Sequence, residues 1–146
     1  MTAINKSTIV SNIFKNFYDL VVAISGFTTI VYPTFPDVVK DSKDDYPIVI
    51  INSPEIDWST FTFGKGMVEG EIMVDVYTTT PSDTDSKASA VSNKIETSKF
   101  TLAGVGLKQV DMERTRSDNA QKGKIKVFLK TLTFKFKYYY TKTRAF

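Results

Sequence analysis

The C-terminal stretch "IKVFLKTLTFKFKYYYT", Ile125–Thr141, constrains the fold more than any other part of the sequence. It has no Gly or Pro and is dense in β-branched and aromatic residues, so it reads as one strand. Its 17 residues would span roughly 55 Å at ~3.3 Å each, where ordinary strands run to ~5–6 residues. Such a strand is expected to outrun its own sheet at one end. Ile125, Val127 and Leu129 share one parity, while Leu132, Phe134, Phe136, Tyr138 and Tyr140 share the other. The phase slip near Lys130 predicts a β-bulge or bend there.

The rest of the chain supplies what this strand needs for burial. Ser7–Ile24 reads as an amphipathic helix with Ile9, Ile13, Phe17, Leu20 and Ile24 on one stripe, widened by Val10, Phe14 and Val21. Ser7 is its expected N-cap and Gly26 its stop. A first strand is expected over 27–33, a polar connection over 34–45, and a second strand over Tyr46–Asn52 with Pro47 at its first position. "SPEIDWSTFTFGKG" follows as a loop or irregular hairpin arm. Met67–Thr79 is a clear strand, because Val68, Ile72, Val74 and Val76 alternate with Glu69, Glu71, Met73 and Asp75. A second helix over 81–97, capped by Ser82 or Asp83, carries a thin stripe of Ala88, Val91 and Ile95. Leu107–Thr115 reads as a strand and "RSDNAQKGK" as a polar turn. The expected fold is α+β: a mostly antiparallel sheet of about four to five strands packed by two helices, in the order α-β-β-β-α-β-β. At 146 residues it is expected to be a single domain.

Chemistry has a narrow kit. The chain has no Cys and no His, which rules out thiolate nucleophiles, Cys/His zinc sites and every triad with an imidazole base. Asp37, Asp41, Asp44 and Asp45 form an acidic run without the order of a calcium loop, so a solvated loop is expected and no metal. Glu69, Glu71 and Asp75 have the spacing of a wet strand face as much as of paired catalytic carboxylates. "GKGMVEG", 64–70, lacks the spacing and Lys-Ser/Thr ending of a phosphate loop. No catalytic residue and no cofactor is nominated. No stretch approaches the ~20 apolar residues of a membrane span, and the N-terminus lacks the apolar block of a secretory signal. A soluble, intracellular origin is the expectation.

Charge is divided along the chain. Residues 122–146 hold eight positives and no acid; the first 121 hold 11 positives against all 16 acids, a balance of −5. Unlike halves can attract copies of one another, or the basic end can meet phosphate. Arg114, Arg116, Lys122 and Lys124 are the candidates for nucleic-acid or channel contact, since a turn there would project them from the fold. Trp58, Phe61, Phe63, Phe136, Tyr138 and Tyr140 are the candidates for a subunit or partner interface. No nucleic-acid-binding signature is present, yet a small basic module working through residues 114–140 remains an alternative on charge alone.

An amphipathic N-terminal helix, "VYPTFP", "DYPIVIINSPEI", a "GEIMVDVYTTTPSD" strand running into a helix, and then paired strands resemble the tail terminator and tail completion proteins of tailed bacteriophages. The likeness spans about residues 5–140 and rests on order and texture. It implies a virion protein of the neck, made in the host cytoplasm, whose copies form a ring, expected to be sixfold. That ring would cap the tail-tube protein and present a surface to the head connector, with DNA passing non-specifically through its channel. It implies no catalytic residues.

Overall fold

The computed structural model describes residues 6–35, 42–60, 66–122 and 124–140. Helix α1 (Lys6–Val22) buries Ile9, Ile13, Phe17 and Val21, an unbroken four-residue step that lays one line of side chains on the sheet. Val21 takes the place expected for Leu20. The helix stops before Gly26; turn bonds such as Ala23 N–H to the Asp19 carbonyl (3.2 Å) carry the chain to that glycine. Ser7 lies inside the first turn and is not its cap.

The sheet has six strands, two more than the shorter expectation. β1 (Val31–Tyr32) keeps only two residues of the stretch 27–33 and pairs in parallel with β2 (Ile48–Ile51). β3 (Glu55–Asp57) arises from the presumed loop, and β4 is Met67–Thr78. β5 (Leu107–Lys122) and β6 (Ile125–Tyr139) form the long final hairpin. The path across the sheet is β1-β2-β4-β6-β5, with β3 beside β2 on the same edge of β4. All pairings but β1–β2 are antiparallel.

Helix α2 (Pro81–Thr97) lies beside α1 on one face, and a short α3 (Lys99–Gly104) makes three helices instead of two. The N-cap of α2 is Thr80, whose Oγ1 accepts from Asp83 N–H at 3.2 Å; Pro81 occupies the first helical turn. Capping falls here, rather than at Ser82 or Asp83, because proline fixes the helical φ of its own residue and lacks the N–H that a cap would satisfy. Thr84 joins Ala88, Val91 and Ile95 in the buried stripe, donating its hydroxyl to the Thr80 carbonyl at 2.8 Å.

Core residues come from alternate positions: Val49 and Ile51 of β2, Val68, Ile72, Val74 and Val76 of β4, and Leu132, Phe134, Phe136 and Tyr138 of β6. Each large aliphatic so buried contributes roughly 1.5–3 kcal/mol as an upper figure. Ile48, Ile50 and Val127 are also buried, but by parity they face away from the helices, on the side where Phe35 meets Tyr77 edge-on at 5.2 Å. β2 is thus covered on both faces. That explains an unbroken "IVII" run beside a central strand, β4, that alternates.

The bulge is not where the side-chain phase placed it. β6 pairs with β4 without interruption from Met67↔Tyr139 to Thr78↔Phe128. The irregularities lie on β5, between Lys108 and Asp111 and between Met112 and Arg114. The apolar residues of β6 change parity because they serve two different burial sites, the helix face beyond Lys130 and the Phe35 side before it. No extra residue is inserted. The second correction concerns 116–124: this is strand as far as Lys122, paired in register from Arg114↔Thr133 to Lys122↔Ile125. Every residue of Asp111–Gln121 is exposed except for its main-chain pairing, so no hydrophobic alternation marks it.

Candidate assembly surface

The sheet face away from the helices carries the charge. Antiparallel pairing places Glu55 opposite Glu71 and Asp57 opposite Glu69, and places Glu71 and Glu69 opposite Lys135 and Lys137. Acids therefore gather on the β3–β4 side and bases on the β6–β5 side. Lys137 Nζ reaches Glu69 at 3.6 Å, and Arg114 reaches Glu71 at 3.8 Å and Glu113 at 3.6 Å. Asp75 accepts from Thr131 Oγ1 (2.6 Å) and Asn52 Nδ2 (2.9 Å). The alternating acids of β4 are thus held by cross-strand partners, and among the described residues no group of acids is placed to hold a metal ion. Asp44 and Asp45 belong to a 3-10 turn over Lys43–Asp45, where Ser42 and Asp45 cap each other. Asp37 and Asp41 lie outside the described residues. Of the glycines in "GKGMVEG", Gly66 accepts from Tyr140 N–H through its carbonyl at 2.9 Å, and Gly70 packs against β3.

Crowding of acids shows in one titration. The Glu71 carboxyl is raised above its ordinary 4.5, first by a side-chain hydrogen bond with Glu113, then by burial and by the Glu113 charge; Glu55 adds to this and Arg114 opposes it. A raised acid favours the protonated folded state, so this group's contribution to stability falls as pH rises from 4.5 through the raised value. Glu71→Gln is therefore expected to gain stability relative to the parent as pH rises to neutral. Thermal melts of both proteins at acidic and neutral pH measure this. A variant that loses ground at neutral pH would show that the Arg114 ion pair outweighs the repulsion.

The sequence-nominated residues separate into three sets. Arg114, Arg116 and Lys124 are exposed on the β5–β6 hairpin. Arg114 and Arg116 line a trough of about 400 Å³ with Met73, Asp75, Asp118 and Thr131. Lys122 ends β5 in its backbone, and its side chain is outside the described residues. Phe136 and Tyr138 are in the chain's own core, 2% and 6% exposed; the Phe136 ring stands 6.0 Å from that of Phe17. They cannot meet a neighbour without unfolding. Tyr140 and Trp58 pack half-buried against that core, with Lys6 Nζ 5.0 Å from the Trp58 ring, and Phe61 and Phe63 lie outside the described residues. Burial raises the Tyr140 phenol above its ordinary value.

Sequence reading missed Phe100. It sits on α3 and is 93% exposed, the most exposed large apolar side chain described. Its signal was present in "SKFTLAG", where Leu102 is the one buried apolar side chain and Phe100 has no large apolar partner at helical spacing. Lys99 of the same helix bridges Glu96 (3.0 Å) and Asp111 (3.1 Å), tying α3 to the start of β5. Among the described residues no helix is long and apolar enough to cross a membrane.

No protein-family model and no curated protein matches the sequence. Among solved structures, the fold is similar to a chain from the virion of a native gene transfer agent particle, at 15% identity and a TM-score of 0.58. The match covers 84% of this chain and 91% of that one, so the likeness extends over most of both chains.

Proposed function

We propose that this protein is a structural component of a phage-like virion, working by assembly among copies and neighbours and not by catalysis. The observation that carries the reading is the fold match, over most of this chain, to a chain of a gene transfer agent virion. The resemblance in element order to tail terminator and tail completion proteins supports the finer statement. In it, copies form a ring in the neck that caps the tail tube and meets the head connector. The segregation of acids and bases across one sheet suits a head-to-tail interface, which closes into a ring when its rotation permits.

Light scattering of the purified chain, alone and with tail-tube protein, tests this. A ring-sized mass, or one that forms only on the tube protein, is expected; a monomer that ignores the tube protein would sink it. A second reading rests on Arg116, Lys124 and Lys126, which stand exposed on one hairpin. In it the hairpin grips nucleic acid without regard to sequence, and binding weakens steeply with salt.

A further inference from the structure

The end of the β5–β6 hairpin runs beyond its sheet. β4 stops at Thr78, opposite Phe128, so Ile125–Val127 pairs on one side with Ala120–Lys122 and, among the described residues, has no strand on the other. A two-stranded ribbon is marginal in water without further burial or pairing. Among the described strands β5 lies at the edge throughout, and its two halves differ. The first half is interrupted by both register shifts, the device by which edges avoid unwanted pairing. From Arg114 to Lys122 the pairing to β6 is regular and there is no proline, and among the described residues no further strand pairs with the outer edge.

This segment is basic. Arg114, Arg116, Lys122, Lys124 and Lys126 stand against the single acid Asp118 between residues 114 and 126. The other side of the sheet offers the complement: among the described strands β3 is paired only to β4, and it carries Glu55 and Asp57 beside Glu69 and Glu71. β4 and β6 lie between these two surfaces, so one chain cannot bring its own hairpin to its own β3. A second copy can.

We propose that the β5 edge at Arg114 and Arg116 docks along the β3 edge of the next copy, with these two arginines, two residues apart on one face, facing that copy's equally spaced Glu55 and Asp57. The contact is heterologous, using a different patch on each side, and main-chain pairing across it would continue one sheet into the next. It deepens the assembly reading above and rests on it: the partner is another copy of this chain.

Charge exchange tests the contact on the full chain. Arg114→Glu with Arg116→Glu should weaken self-association at least tenfold by analytical ultracentrifugation. Glu55→Lys with Asp57→Lys should do the same. All four positions are exposed, and circular dichroism verifies that each variant folds; because Asp57 also accepts from Ser59 N–H at 3.1 Å, Glu55→Lys alone serves as the milder variant. Mixing the two double variants one to one should restore assembly, because each then meets its reversed partner. If the parent assembles and the reversals leave its mass unchanged, this contact is wrong and the ring can stand on another surface. If they leave the mass unchanged but remove salt-dependent DNA binding, the hairpin is a nucleic-acid surface and the proposal is equally overturned. A parent that never assembles, alone or on tube protein, removes the assembly reading and this contact with it.

Discussion

Phe136→Ala is expected to destabilise the folded chain by roughly 3–5 kcal/mol, the usual cost of emptying a buried aromatic site. Phe136 fills the space between α1 and the centre of the sheet. Its ring stands against Phe17, and it lies over Gly70, whose missing side chain admits it: a Cβ there would come within 3.1 Å of Phe136 Cζ. The same Cβ would strike the Glu55 carbonyl oxygen, so Gly70 lets β3 and Phe136 close on β4 from two sides. Loss of the ring leaves a cavity bounded by strand backbone and a helix, neither of which can collapse far. Denaturant titration should show the same shift at low and high protein concentration, because the lost packing lies within one chain. A shift that grows only where copies associate would return Phe136 to the interface role for which the sequence nominated it.

Gly106→Ala should be nearly as severe, at roughly 2–5 kcal/mol from backbone strain and overcrowding together. Gly106 has φ +96° at the turn into β5, a region L side chains rarely adopt. An added Cβ would run into the Tyr139 carbonyl oxygen and come within 3.3 Å of Tyr138 Cε1. The Gly106 carbonyl accepts from Tyr139 N–H at 2.8 Å, and the next residue, Leu107, opens the register opposite Tyr138. Displacing Gly106 therefore loosens the open end of the long hairpin, where β5 enters the core. Gly104→Ala is the matched control: a Cβ there meets nothing within 4 Å, and alanine is the better helix former by up to ~1 kcal/mol. Thermal melts that dropped equally for both would show that the close approach to Tyr139 is not the cause.

Where burial has a period, the sequence was readable. Ile9, Ile13 and Phe17 of the α1 stripe, the alternation of β4 and the thin Ala88–Val91–Ile95 stripe of α2 all lie as their spacing indicates. Reading failed where residues are held by backbone pairing alone. β5 beyond Arg114 has polar residues on both faces and is a strand only because β6 supplies hydrogen bonds, so it looked like a turn. β3 failed for length: three residues leave no period to detect. The candidate surface was half legible. Arg114 and Arg116 are exposed as expected, but Glu55 and Asp57 gain their place only because β3 docks beside β4.

Phe136 and Tyr138 show the same boundary from the other side. Their alternation with Lys135 and Lys137 told which residues share a face, but not whether that face meets a helix of the same chain or a neighbour. Composition and periodicity by themselves determined the α+β class, the wet and dry sides of the central strands, and a chemistry without thiol or imidazole. Tertiary structure alone decided which strands lie at the edges, where the bulges fall, and which aromatics the core consumes. The reason is physical: side-chain period records local burial, whereas edges and partners depend on hydrogen bonds between segments far apart in the chain.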